Sequence, residues 1–128
     1  MTEKAQRPSW PERMLGNAEY WAQFSTCVRR KVGAVIYNPD NWAVLSSGYN
    51  DTARGEVNCG DGGCAICQEG PASDKIDCNC IHAEMNAILM AASRGVRLEG
   101  MVIVSTYEPC GSCRKHIKQA GMTIAAVP

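Results

Sequence analysis

Two short motifs constrain this chain more than any other part of its sequence. Residues 82–84 form a His-x-Glu motif, and residues 109–113 form a Pro-Cys-x-x-Cys motif. One imidazole and two thiolates supply three protein ligands for a zinc ion. A catalytic zinc needs that number, because its fourth position must stay open for water. The sequence therefore predicts a catalytic zinc bound by His82, Cys110 and Cys113.

Glu84 stands two residues after the predicted histidine ligand. At that spacing its carboxylate is expected beside the metal without binding it, where it can accept and donate protons. A His-x-Glu motif followed by Pro-Cys-x-x-Cys is the signature of the zinc-dependent nucleobase deaminases. A purely structural Cys-Cys-His site would normally recruit a fourth protein ligand, and another cysteine could supply it. The catalytic interpretation is favoured because a structural site has no need of an acid beside the metal.

The size and charge of the chain narrow the kind of substrate. Its 128 residues suffice for one domain, which we expect to span residues 1–128 with residues 1–10 flexible. Thirteen basic and thirteen acidic residues cancel, whereas proteins that bind polynucleotides usually carry a basic surplus. We therefore expect a small-molecule substrate and no polynucleotide partner.

The sequence also bears on where the protein works. Residues 1–11 are polar and lack the apolar core of a signal peptide. No apolar run approaches the roughly 20 residues that a membrane helix needs. We expect a cytoplasmic protein that does not bind a membrane. In a reducing compartment, metal binding is also the favoured use of clustered cysteines.

Five of the eight cysteines lie in residues 51–80, a stretch without convincing periodicity. They are Cys59, Cys64, Cys67, Cys78 and Cys80. A structureless loop of this length is implausible in a small domain unless something holds it. Cys64 and Cys67 have the spacing of a zinc knuckle, and Cys78 and Cys80 would point the same way in an extended segment. We predict a second, structural zinc there. The competing interpretation is thiols without metal or disulfides, and the spacing does not decide which four cysteines bind.

Hydrophobic periodicity predicts three helices and four strands. The predicted helices cover residues 11–27, 82–94 and 110–120, and the predicted strands cover residues 32–37, 42–50, 101–106 and 123–127. The first two strands flank a Pro-Asp turn and are expected to form a hairpin. The later strands alternate with helices, which favours parallel pairing. We predict an α/β fold of three layers, in which a mixed sheet begins with a β-hairpin and carries helices on both faces.

Both zinc motifs fall at the starts of predicted helices. The positive end of a helix dipole favours the thiolate form of a cysteine placed there. This placement is therefore expected to favour the ionised forms of Cys110 and Cys113.

Further matches extend beyond the zinc motifs. They are Ser25-Thr26-Cys27, residues 32–35, Gly48-Tyr49-Asn50, Asn58-Cys59, residues 82–88 and Gln119-Ala120-Gly121. On these residues the chain resembles the deoxycytidylate (dCMP) deaminases of the zinc-dependent cytidine deaminase superfamily. The resemblance implies a cytidine-deaminase-like fold and conversion of dCMP to dUMP and ammonia, which supplies dUMP for thymidylate synthesis. It also implies a homo-oligomer, commonly a hexamer, regulated by dCTP and dTTP with Mg²⁺.

The resemblance also suggests ligands for the second zinc. In many members of the family, the ligands of that ion include the cysteines that match Cys27 and Cys59. Cys80 is then expected as the third ligand. The fourth would be Cys78 or one of the pair formed by Cys64 and Cys67.

The same comparison assigns substrate contacts. Asn50 is expected to bind the sugar hydroxyl, the backbone of Ala83 to read the base, and Tyr107 to border the base or sugar. Arg29 and Arg30 are expected to contact the phosphate. From the residues alone, the basic run at positions 29–31 is more typical of a solvated face.

Several features of the chain bear on its regulation and on the choice among related activities. Asp51 stands where the family usually has glycine, which puts triphosphate effectors and their magnesium in question. Gly111 and Arg114 resemble the deaminases of free nucleosides and keep cytidine open as a substrate. The zinc motifs are also compatible with a deaminase of guanine or of adenine in tRNA, with dCTP as an extra substrate, and with a zinc-binding subunit without activity. Asn86 and the wider matches favour dCMP.

Overall fold

Three helices and four strands make up the part of the chain described by the computed structural model, residues 5–64 and 79–127. In chain order the elements are α1 (Trp10–Ala22), β1 (Gly33–Tyr37), β2 (Val44–Tyr49), a 3₁₀ turn (Cys59–Asp61), α2 (Ala83–Ser93), β3 (Val102–Ser105), α3 (Gly111–Gln119) and β4 (Thr123–Ile124). Flexibility was predicted for residues 1–10; residues 1–4 lie outside the described part, whereas Ser9 and Trp10 form the start of α1. None of the helices in that part has the length and apolarity needed to span a bilayer.

The strands of the described residues form one sheet in the order β2-β1-β3-β4. β1 pairs antiparallel with β2, where Gly33 lies opposite Tyr49, and antiparallel with β3, where Ala34 lies opposite Ser105. β3 and β4 pair in parallel, because α3 returns the chain between them. The mixed sheet, its opening hairpin and the parallel pairing of its last two strands were all predicted from the sequence, and these predictions are confirmed.

Helices cover both faces of the sheet, as predicted. All five residues of β1 are buried, and their side chains alternate between two cores. Ala34 and Ile36 pack with residues of α2 and α3, whereas Val35 and Tyr37 pack with residues of α1. A central strand that is buried on both faces reads as a continuous apolar run, and β1 has such a sequence.

Gly48 allows α2 to lie directly on β2. A Cβ atom at this position would stand 2.5 Å from the carbonyl oxygen of Ala83 and 2.5 Å from the backbone nitrogen of Ala87. Backbone atoms of the helix occupy the space that any larger side chain would need. Because Ala83 lies between His82 and Glu84, this close contact sets the height of the whole motif above the sheet.

Two elements, the first helix and the last strand, differ most from their predicted ranges. The first helix begins at Trp10, one residue early, because Ser9 and Glu12 form a capping box. It ends at Ala22 instead of residue 27. The hydroxyl of Ser25 donates a hydrogen bond of 2.6 Å to the carbonyl oxygen of Asn50, which draws the chain out of the helix. The last strand is also shorter than predicted and contains only Thr123–Ile124.

Candidate active site

The structure brings His82, Cys110 and Cys113 together. His82 and Cys110 are the N-cap residues of α2 and α3, and Cys113 lies in the first turn of α3. The Nδ1 atom of His82 is 3.4 Å from the Sγ of Cys110 and 3.3 Å from the Sγ of Cys113. All three ligand atoms lie within 4.8 Å of one another.

These distances fit a tetrahedral zinc ion. Bond lengths of about 2.3 Å to sulfur and about 2.0 Å to nitrogen place the two ligand atoms about 3.5 Å apart at a tetrahedral angle. His82 and Cys110 are exposed, whereas Cys113 is buried. The donor set is therefore open on one side, where a water molecule or a substrate could approach.

Glu84 lies in the first turn of α2 and is buried. The hydroxyl of Ser105 donates a hydrogen bond of 2.6 Å to its Oε1 atom. Ser105 was not among the predicted site residues. The signal that could have found it is the alternation along the strand at residues 101–106, which places residues 103 and 105 on the face that α2 covers.

The environment of Cys113 bears directly on metal binding. Burial raises the pKa of the Cys113 thiol above its ordinary value, and the neighbouring charge of Glu84 raises it further. Burial therefore opposes the effect expected from the dipole of α3. A divalent cation would compensate the negative charge of a thiolate there, so this donor set suits a zinc ion.

Two asparagines connect the loops around the site. The side-chain amide of Asn86 donates to the carbonyl oxygen of Tyr49 at 2.8 Å, which ties α2 to the end of β2. Asn50 is buried; its Oδ1 accepts from the backbone nitrogen of Val32 at 2.8 Å, and its Nδ2 donates to the carbonyl oxygen of Arg30 at 2.7 Å. Asn50 therefore shapes the segment before β1, and its contact with a sugar stays a prediction.

Arg30 and Tyr107 lie against each other at the surface. The guanidinium carbon of Arg30 is 4.5 Å from the centre of the Tyr107 ring, within the range of a cation–π contact. Tyr107 also borders two clefts of about 490 Å³ and 520 Å³, neither of which is lined by the zinc donors. Arg29 is exposed, and Ala83 is buried as the first residue of α2.

Four of the six cysteines that we predicted for a second zinc form one buried cluster. They are Cys27, Cys59, Cys64 and Cys80. The sulfur atoms of Cys27, Cys59 and Cys80 all lie within 4.8 Å of one another. Cys67 and Cys78 lie outside the described residues. The structure thus brings together a second group of three sulfur ligands, separate from the first.

Asp51 connects the two cysteine-containing sites. Its carboxylate accepts a hydrogen bond of 2.8 Å from the hydroxyl of Thr26, the residue before Cys27. Its backbone pairs with Ile81, with the nitrogen of Ile81 donating to the carbonyl oxygen of Asp51 at 2.7 Å. Ile81 lies between Cys80 and His82, so one residue holds chain segments from both sites.

Comparison with known proteins finds deoxycytidylate deaminases similar in sequence to this chain. The deoxycytidylate deaminase of Schizosaccharomyces pombe is 37% identical over 118 residues, which make up 91% of this chain and 36% of the yeast protein. The chain therefore spans little more than a third of that relative. The deoxycytidylate deaminase of Mycobacterium phage D29 is 33% identical over 127 residues, or 95% of this chain and 96% of the phage protein.

A similar solved structure and a matching family model both concern cytidine or deoxycytidylate deaminases. The dCMP deaminase of cyanophage S-TIM5, in complex with dCMP and dUMP, superposes with a TM-score of 0.74 at 30% identity. The match covers 94% of this chain and 86% of the phage chain, and it confirms the predicted cytidine-deaminase-like fold. The family model for the cytidine and deoxycytidylate deaminase zinc-binding region matches residues 8–127. The chain therefore belongs to the cytidine and deoxycytidylate deaminase family.

Proposed function

We propose that this chain catalyses the hydrolytic deamination of dCMP to dUMP and ammonia, and so supplies dUMP for thymidylate synthesis. The observation that carries the proposal is a buried carboxylate, Glu84, two residues from a His-Cys-Cys donor set that is open on one side. The named activities of the yeast and phage relatives support dCMP as the substrate. The nucleotides in the cyanophage structure support it as well.

In this proposal His82, Cys110 and Cys113 hold the catalytic zinc, with His82 binding through Nδ1. A zinc ion bound there would supply an acidified water molecule as the nucleophile. The buried position of Cys113 keeps bulk water away from one side of the donor set. The exposed side, at His82 and Cys110, is left for the substrate.

Glu84 moves the protons of the reaction. Its carboxylate accepts a proton from the attacking water and delivers it to the ring nitrogen next to the carbon under attack. A bond forms between the water oxygen and that carbon, which becomes tetrahedral. Glu84 then passes the second proton of the water to the amino group, the carbon–nitrogen bond breaks, and ammonia leaves. One water is consumed for each ammonia released, so atoms and charge balance.

Side chains that suit a nucleotide lie at and against the loop that precedes Cys110. The guanidinium of Arg30 lies over the Tyr107 ring and is the cation that we assign to the substrate phosphate, with Arg29 as its exposed neighbour. We assign the base contact to the backbone of Ala83, the border of the base or sugar to Tyr107, and the sugar hydroxyl to Asn50. Nδ2 of Asn50 has two hydrogens, so one remains for a sugar when the other is donated to Arg30.

We further propose a structural zinc at the second cysteine cluster. Cys27, Cys59 and Cys80 would supply three ligands, because their buried sulfur atoms lie within 4.8 Å of one another. The fourth ligand would be Cys64, which belongs to the same buried cluster, or Cys67 or Cys78.

Assembly, regulation and location follow from the same family likeness. We propose a homo-oligomer, specifically a hexamer, with dCTP and dTTP as effectors bound with Mg²⁺. Oδ1 of Asp51 accepts hydrogen bonds from the Thr26 hydroxyl and the Thr52 backbone nitrogen, so a contact of this carboxylate with that magnesium would be made by Oδ2. The clustered cysteines support a reducing location such as the cytoplasm.

Cytidine is the second candidate substrate, because Gly111 and Arg114 match the deaminases of free nucleosides. Arg114, however, has partners of its own. Its guanidinium donates to the carbonyl oxygen of Pro109 at 3.0 Å and to Glu108 at 2.8 Å, which braces the turn before α3. This residue therefore has a structural use that does not depend on which substrate binds.

A substrate panel tests the proposal. Ammonia release is measured from dCMP, dCTP, cytidine and deoxycytidine, each with and without dCTP and dTTP as effectors. We expect turnover of dCMP, and retention of zinc with loss of several orders of magnitude in activity in the Glu84→Gln variant. Turnover of cytidine without dCMP would refute the substrate, and no turnover at all would favour a zinc-binding subunit. Full activity of Glu84→Gln would refute the mechanism.

A further inference from the structure

We propose that Ser105 is a positioning residue for Glu84. Its hydroxyl holds one carboxylate oxygen of Glu84, so that the other oxygen faces the attacking water and the ring nitrogen. This inference rests on the proposed function, because it assigns Ser105 a role in the same proton transfer.

The sheet places Ser105 under the first turn of α2. Ser105 is the last residue of β3 and pairs with Ala34 of β1, whose side chain faces α2 and α3. The side chain of Ser105 points to the same face and reaches Glu84 at 2.6 Å. Only 4% of either residue is exposed, so water does not compete for this hydrogen bond.

The chemistry of the pair explains what the contact does. A serine hydroxyl has one proton to donate, so it engages one oxygen of Glu84 and leaves the other free of this contact. The last torsion of a glutamate side chain is broad and nearly two-fold, and a short hydrogen bond to a carboxylate is among the stronger ones in proteins. Ser105 therefore fixes the plane of the carboxylate before substrate binds.

A second buried serine, Ser46, provides a control that distinguishes positioning of the Glu84 side chain from attachment of α2 to the sheet. Ser46 of β2 donates a hydrogen bond of 2.7 Å to the carbonyl oxygen of Ala87, one turn further along α2. Ser46 is 3% exposed, so the two serines are nearly equal in burial and both bond to the same helix. Ser46 holds helix backbone, whereas Ser105 holds the side chain that moves protons. Ser46→Ala is therefore a matched control for Ser105→Ala.

Steady-state kinetics with dCMP test the proposal on the zinc-loaded enzyme. We expect Ser105→Ala to lower kcat by about ten- to one-hundredfold, the range found when hydrogen-bond partners around a metal site are removed, with KM and zinc content unchanged. Ser105→Thr keeps the hydroxyl and should restore most of kcat. Ser46→Ala should lower the melting temperature about as much as Ser105→Ala while leaving kcat near that of the wild type.

Binding measurements give a readout that does not depend on turnover. Tetrahydrodeoxyuridine monophosphate has a tetrahedral ring carbon and needs an aligned Glu84, whereas the product dUMP needs it less. By calorimetry, Ser105→Ala should weaken binding of the first ligand about tenfold and leave dUMP binding unchanged. Equal losses for both ligands, or an unchanged kcat in an otherwise active enzyme, would overturn this inference alone. A wild-type enzyme without activity would overturn the proposed function and the inference with it.

Discussion

Replacing Gly48 with alanine should lower activity by pushing α2 away from β2. The added Cβ would stand 2.5 Å from the carbonyl oxygen of Ala83 and from the backbone nitrogen of Ala87. Carbon and a backbone atom in contact need about 3.5 Å, so α2 must move away from β2 by about 1 Å. The atoms in the way are helix backbone and not the end of a flexible side chain, so the helix moves as a unit.

The expected loss follows from this displacement. Overpacking of a core costs about 1–3 kcal/mol of stability. Since His82 and Glu84 flank Ala83, the zinc donor and the acid move with the helix, while Cys110 and Cys113 stay with α3. A misplacement of about 1 Å near the reacting atoms can cost about a hundredfold in rate. We therefore expect Gly48→Ala to lower kcat for dCMP by about that factor, together with a lower melting temperature.

Gly16 provides the control for this prediction. It is exposed within α1, and a Cβ added there would have no neighbour within 4 Å. Gly16→Ala should raise stability by about 1 kcal/mol through helix propensity and leave kcat unchanged. The assay is ammonia release from dCMP, with thermal unfolding and zinc content measured on the same samples. Wild-type kcat and melting temperature in Gly48→Ala would refute the proposed dependence of the site on this close contact.

Three further predictions address other parts of the molecule. Arg30→Ala should raise KM for dCMP by about ten- to one-hundredfold, the value of a charge-assisted hydrogen bond, and leave KM for deoxycytidine unchanged; equal effects on both would exclude a phosphate contact. Cys59→Ser should reduce the zinc content from two ions per chain to one, and a wild-type protein with a single zinc would contradict the second site. Burial raises the pKa of Tyr37, so the folded state holds the phenolic proton more tightly than the unfolded state. The contribution of this phenol to the free energy of unfolding should be fully present below about pH 10 and be lost as pH rises through the folded pKa. Urea unfolding across this pH range should therefore show a smaller loss of stability in Tyr37→Phe.

The sequence was sufficient to predict the fold, and it named the three residues, His82, Cys110 and Cys113, that the structure brings together. Helix periodicity placed His82 and Cys110 at helix starts, and the Pro-Asp turn placed the hairpin. These features are local, because each depends on residues close together in the chain. Three layers then follow, since an apolar central strand must be covered on both faces.

Features that depend on distant partners could not be predicted in the same way. The end of α1 is set by the bond from Ser25 to Asn50, which lies on another element. In the sequence Ser105 is only the last residue of an apolar strand. Its contact with Glu84 arises from the pairing of β3 with β1 and the packing of α2 on the sheet. Propensity carries no information about such contacts, because tertiary structure decides them.

The contacts of Asp51 show what an aspartate does at this position that a glycine would not. A glycine at this position would keep the backbone pairing with Ile81 but would lose the carboxylate that holds Thr26. Thr26 precedes Cys27, and Ile81 lies between Cys80 and His82. Asp51 thus joins these two segments, holding the first through its side chain and the second through its backbone. An ion held by Cys27 and Cys80 would tighten the same two segments, and it would restrict His82 through a single intervening residue. Such an ion would therefore help to position His82, a member of the first donor set.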